Sequence, residues 1–216
     1  KMAYTERTIK ADEKEKMDFD DLSEKDDEYL ISGKKLLMRE ELRVMYSMVW
    51  GKLFKNGLWE NVRFDPKYKY YEDGGTTFKV IYNADRVAIS QRKLYNYFYS
   101  DNSSIRSSVS ERKLRDGIET EIDKIKFYKK KNEPELTDMA YIAYLNTLLL
   151  CCRTVDGMEN AGNLFREFFS EYKRYYKFAV NNKSLPKVQR LKYVVYRLFP
   201  HVQKYYIKLK MKTIGN

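Results

Sequence analysis

Residues 68–81 read YKYYEDGGTTFKVI. Tyr68, Tyr70 and Tyr71 lead into an adjacent Glu72–Asp73 pair, two glycines follow, and Phe78, Ile81 and Tyr82 recur at helical spacing. The pattern predicts a short helix from Glu72 to the region of Asn83–Asp85, with the carboxylates at its mouth. Two roles fit carboxylates in that position. Free backbone amides and the helix dipole stabilise them there by about 0.3–1 kcal/mol. Alternatively, one of them accepts a proton from a substrate, and Gly74–Gly75 lets a ligand approach the backbone. The stretch by itself leaves both roles open.

Upstream, GKKLLMREELRVMY (33–46) has apolar residues at 36, 37, 42, 44 and 45 and predicts a short helix after Gly33. SMVWGKLF (47–54) reads as a strand or tight extended segment, and NGLW and DPKYKY as turns through Gly57 and Pro66. Downstream, RVAIS (86–90) and KLYNYFYS (93–100) predict two short strands, and DNSSIRSS (101–108) a polar loop. Helical patterns then take over. SERKLRDGIETEIDKIKFYKKK (110–131) has apolar residues at 114, 118, 122 and 125, with Ser110 as N-cap. PELTDMAYIAYLNTLLLCCR (134–153) starts with Pro134 in its first turn and is apolar on most sides, so it predicts a buried helix. NLFREFFSEYKRYYKFAV (163–180) and PKVQRLKYVVYRLF (186–199) are amphipathic and basic, and HVQKYYIKLKMK (201–212) continues that character. KADEKEKMDFDDLSEKDDE (10–28) is acidic, lacks apolar periodicity and reads as a loop. The expected fold is α+β and mostly helical. An acidic loop and connecting helix fill 1–44, a mixed core carrying Glu-Asp fills 45–108, and a basic helical region fills 109–216.

With 216 residues, 43% hydrophobic and 34% charged, the chain has a globular composition and enough length for a real core. Its longest apolar run, LNTLLLCC, is far short of a membrane span. The opening KMAYTERTIK, with lysine ahead of methionine, reads as the start of an excised fragment. Cys151 and Cys152 are neighbours, pointing about 100° apart on a helix, and read as core thiols rather than a disulfide or a metal pair. One histidine, His201, cannot form a multi-histidine metal site. Charge is unevenly placed: residues 1–44 hold 10 Lys/Arg against 13 Asp/Glu, whereas 160–216 hold 13 against 2. Such a basic region suits nucleic acid, an anionic membrane surface or a phosphorylated ligand.

Over residues 48–108 the order Trp50-x-Lys52-Leu53-Phe54, Arg63-Phe64, Tyr71-Glu72-Asp73, Leu94-Tyr95, Tyr97, Ser104-Ile105 resembles the second half of the catalytic domain of bacterial family 2 glycosyltransferases. Residues 29–47 and 109–155 are similar to that family more weakly. Gly51 departs from the asparagine often found between the Trp and the Lys. The resemblance implies a partial GT-A core and an inverting sugar transfer in capsule, O-antigen or other surface-polysaccharide assembly, at the cytoplasmic face of the membrane. It implies Asp73 as general base and Glu72 as its orienting or acceptor-contacting neighbour. Trp50 and Lys52 would border the acceptor cleft, with Tyr71 in the substrate-binding set. The loop 102–107, with Ser104 and Arg106, would lie near the donor diphosphate.

Family members bind the donor through an N-terminal half whose Asp-x-Asp motif holds Mn²⁺ or Mg²⁺ at the diphosphate. Asp18-Phe19-Asp20 does not fit that motif, because the preceding DEKEKM cannot form a buried strand and Trp50 follows after only about 30 residues. The resemblance therefore implies the C-terminal portion of an enzyme, unable to transfer sugar alone. Its partners would be a nucleotide-sugar donor and a saccharide acceptor, in many cases lipid-linked. Residues 160–212, with Lys and Arg interleaved among Tyr, Phe, Val and Leu, suit either an ordinary solvated face or an anionic membrane surface. The rival reading is a non-catalytic basic module that binds nucleic acid, with tyrosines stacking on bases. No helix-turn-helix, RNP or zinc pattern accompanies it.

Overall fold

A computed structural model describes residues 29–39, 42–89, 95, 109–156 and 158–200. The acidic loop 10–28, the predicted strand at 93–100 apart from Tyr95, the loop 101–108 and the segment 201–212 lie outside the described residues. The described elements are mostly helical, and the chain divides into two compact units, Lys1–Ser108 and Val109–Asn216.

The first unit is built around a six-residue helix. Strand β1 (Tyr29–Ile31) pairs antiparallel with β2 (Val87–Ile89), Tyr29 opposite Ile89 and Ile31 opposite Val87. Helix α1 (Gly33–Leu37) follows β1 directly, capped by Ser32, whose hydroxyl accepts the Lys35 amide at 3.3 Å. Helix α2 (Arg43–Ser47) and a 3-10 helix over Asn56–Trp59 come next, and then α3 (Thr77–Tyr82). All three earlier helices pack on α3. Phe78, Val80 and Ile81 are buried, as are Thr76 and Thr77 at its start. A helix this short has little stability of its own, and tertiary burial holds it.

Three expectations are corrected here. The single helix predicted over 33–46 is two, because α1 closes at Met38, whose amide bonds back to Lys34 and Leu36 carbonyls. The segment 47–54 is no strand: the chain bends at Val49–Gly51, with Gly51 at φ +67°, a conformation that breaks an extended run. The helix predicted from Glu72 begins at Thr77 instead. Glu72–Thr76 form a turn tied by Gly75 N–H to Tyr71 O at 2.9 Å and Thr77 N–H to Asp73 O at 2.8 Å.

Gly33 is where α1 and α3 meet backbone to backbone. Its amide donates to the Ala84 carbonyl at 2.9 Å. A Cβ there would lie 2.8 Å from that same oxygen and would overlap the Ile81 carbonyl oxygen.

The second unit is a chain of long helices: α4 (Glu111–Lys130), α5 (Pro134–Thr154), α6 (Ala161–Asn181) and α7 (Lys187–Leu198). Each packs on the next. Ser110 caps α4 by accepting the Lys113 amide at 3.2 Å, and Pro134 opens α5, both as predicted. On α4, Leu114, Ile118 and Ile125 are buried, but Ile122 is only half-buried, and Glu121 is buried with Lys124 as an ion pair at 3.1 Å. Helix α5 is buried on most sides, from Leu136 to Cys152. Both cysteines are free, and burial pushes each thiol up to about 12. Arg115 of α4 grips Glu167 of α6 through both carboxylate oxygens, at 2.6 and 2.9 Å. Tyr172 of α6, fully buried, donates its hydroxyl to the Tyr193 carbonyl of α7 at 2.7 Å.

Two measurements check this packing. Gly33→Ala should cost at least about 2–3 kcal/mol in urea unfolding, because backbone must move to admit the methyl. Gly57→Ala, whose Cβ would meet nothing within 4 Å, should change stability by no more than about 0.5 kcal/mol. Equal effects would mean that the α1–α3 contact is absent. Tyr172→Phe should cost about 1 kcal/mol by removing the bond to the buried Tyr193 carbonyl, and no change would show that bond unmade.

Candidate functional site

The turn before α3 presents the two predicted carboxylates differently. Glu72 is exposed and Asp73 is half-buried. One Asp73 oxygen, Oδ1, accepts the Gly74 amide at 2.7 Å, while the Asp73 carbonyl takes the Thr76 and Thr77 amides at 3.0 and 2.8 Å. The residue is thus anchored through main chain and side chain together. An ionised carboxylate accepts at both oxygens, so it retains capacity for a ligand hydroxyl. Ahead of it, Tyr71 stands at φ +62° with its ring partly exposed. A bulky residue in the left-handed region costs about 1 kcal/mol or more and persists where the surroundings impose it. Here its carbonyl closes the turn by accepting the Gly75 amide.

Lys52, next to the bend at Gly51, lies within electrostatic reach of this carboxylate. Its ammonium donates to the Trp50 carbonyl at 3.2 Å. Burial pushes the Lys52 pKa down from 10.5 to about 8, with the Asp73 carboxylate pulling it back up. Desolvation outweighs the opposite charge, so the amine changes charge near the physiological range. Trp50 stacks on Tyr95, with ring centroids 5.2 Å apart and planes at 19°. Of the predicted set, the structure brings Lys52 within electrostatic reach of Asp73 and places Trp50 beside Lys52. Tyr71 sits next to the pair in the chain, and Ser104 and Arg106 lie outside the described residues.

One further feature had no predicted role. An open groove is lined by Asn56, Gly57, Trp59, Glu60, Arg63 and Phe64. Phe54 meets Trp59 edge-on at 5.4 Å, and Trp59 meets Phe64 at 5.6 Å. The Arg63 guanidinium donates to the Trp59 carbonyl and, at 2.7 Å, to that of Val62. Aromatics at 54, 59 and 64 recur every five residues, a spacing that matches neither helix nor strand. That recurrence was the available signal. Trp50, Lys52 and Asp73 are not among the groove's lining residues.

Among the described residues, no three His, Cys, Asp or Glu side chains converge to hold a metal ion. No described helix is long and apolar enough to cross a membrane. No known family model, curated protein or solved structure matches the chain.

Because its pKa is lowered on folding, Lys52 opposes folding most below about pH 8, and the opposition is relieved as pH rises from there toward 10.5. An NMR titration of the lysine Nζ resonances should find Lys52 at about 8. Asp73→Asn should lower that value further, since the raising charge is gone. A Lys52 that titrates at 10.5 would show the amine to be solvated and remote from Asp73.

Proposed function

We propose that these residues belong to an inverting glycosyltransferase of bacterial surface-polysaccharide synthesis, which moves a hexose from a nucleotide-sugar donor to a saccharide, in many cases lipid-linked, acceptor. The observation that carries the reading is that Lys52 lies within electrostatic reach of Asp73, two elements of the quoted motif that are well separated in sequence. Gly51 adds support. At φ +67° it occupies the conformation that glycine and asparagine adopt most readily, and asparagine is the residue the family often has there.

In this reading Asp73 is the general base. Its free acceptor capacity takes the proton of an acceptor hydroxyl. The oxygen then attacks the anomeric carbon opposite the departing nucleoside diphosphate, so configuration inverts. Pinning Oδ1 to the Gly74 amide fixes the direction from which the hydroxyl must approach. Lys52 donates to acceptor oxygens, and Trp50 and Tyr71 supply apolar ring faces for the sugar. Glu72, exposed beside the base, contacts the acceptor. A divalent cation, when bound at the donor diphosphate, neutralises the leaving group. The described residues offer no donor set for it, and no step by them depends on it. Donor binding belongs to a nucleotide-binding half of the full-length enzyme, and the 216 residues alone are expected to transfer nothing.

The test is an assay of the full-length parent enzyme across a panel of nucleotide sugars with Mn²⁺ or Mg²⁺. Asp73→Asn should lower transfer by about 10²–10⁴-fold while leaving nucleotide binding intact. The amide oxygen of asparagine still accepts the Gly74 N–H, so the turn survives and loss of activity reports on the base. Undiminished transfer would reduce Glu72–Asp73 to a turn.

A further inference from the structure

The outer face of α7 is apolar and uncovered. Val188 is 80% exposed, Leu191 60%, Leu198 62% and Phe199, just past the helix, 60%. Val195, half-buried, falls on the same face. The spacing 188, 191, 195, 198 is a single helical stripe. The opposite side of α7 carries the helix's buried residues, Tyr193 and Tyr196, toward α6. Lys187 and Lys192, both exposed, flank the stripe on either side. Arg190 and Arg197 complete a helix with four basic residues and no acidic one. Beyond Glu171, the sequence contains no further acidic residue to its end.

We propose that this face of α7 lies on an anionic lipid surface, its aliphatic stripe at the level of the acyl–headgroup boundary and its lysines among the headgroup phosphates. Charge selects the occupant. A second copy of the helix would bring four positive charges against four, with no acidic partner to offset them. Chemistry separates the surface from a nucleic-acid site. Stacking on bases needs exposed aromatic faces, yet within the helix the tyrosines are buried and the large exposed apolar side chains are Val188, Leu191 and Leu198. An amphipathic helix with lysines bordering an aliphatic stripe is the arrangement that inserts shallowly into a bilayer interface. This surface is argued from α7 alone and does not depend on the role of Asp73.

Flotation with vesicles tests it on the full 216-residue chain. The chain should float with vesicles of phosphatidylcholine mixed with phosphatidylglycerol, and much less with phosphatidylcholine alone. Leu191→Ser/Leu198→Ser should weaken binding by roughly tenfold or more with unchanged thermal unfolding, since both side chains are already exposed. Lys187→Gln/Lys192→Gln should weaken it and flatten its salt dependence. Four results would overturn the proposal: no flotation, equal binding to neutral vesicles, binding indifferent to the leucine substitutions, or displacement from anionic vesicles by a DNA oligonucleotide. Self-association abolished by the leucine substitutions, without lipid binding, would assign the face to a second copy instead.

Discussion

A side chain at residue 33 would collide with the carbonyl oxygen of Ile81, and its absence lets α1 and α3 pack at the centre of the described part of the first unit. Because Gly33 lets the two backbones touch, α1 lies against α3 at main-chain distance, and the amide of Gly33 reaches Ala84. The residues just before Gly33 are β1, and those just after Ala84 lead to β2, so the antiparallel pair lies directly beside the same contact. At the other end of α3, the turn holding Asp73 runs directly into buried Thr76 and Thr77. The carboxylate is therefore positioned by a helix that is itself clamped by its neighbours. Function placed on a short buried helix inherits rigidity that the helix could not generate alone.

In the second unit, four of the chain's 20 tyrosines have a clear structural role. Tyrosine offers an apolar ring and a polar tip, which suits the seams between amphipathic helices. Tyr141 stacks on Phe178 at 4.0 Å and takes a hydrogen bond from Lys129. Tyr144 donates to Glu171, and Tyr193 donates to Asn146 while its carbonyl receives Tyr172. These bonds tie α4 to α5, α5 to α6, α5 to α7 and α6 to α7. Rings committed in this way are unavailable to stack on bases.

Legibility in the sequence followed the length and period of each element. The long helices declared themselves through Ser110, Pro134 and sustained apolar spacing, because many residues vote for one answer. The short ones did not. Five residues from Gly33 to Leu37 carry too few positions to reveal a period, and their end is set by a turn of backbone bonds rather than by a Gly or Pro signal. Gly51 is visible in the sequence, but its left-handed conformation is not, so the bend reads as a strand or tight extended segment. The Glu-Asp pair reads as the opening of a helix, yet Glu72–Thr76 form a turn and the helix begins only at Thr77, after burial has set in at Gly75 and Thr76. The sequence places Lys52 beside the site, but no local pattern encodes its burial. The groove at Trp59 and Phe64 has no assignment from sequence because the five-residue spacing of its aromatics matches neither the helix nor the strand period.

The two neighbouring cysteines of α5 have a practical use that follows from their burial. A thiol reacts as its thiolate, and both here are buried and held far toward the protonated form. Native Cys151 and Cys152 are consequently silent toward maleimide dyes and spin labels while the fold is intact. A single cysteine introduced on the outer face of α7, or in the Glu72 turn, becomes the sole reactive handle on the molecule. Site-specific fluorescence or electron paramagnetic resonance can therefore be done in the native background, without first stripping the core of its own sulfur.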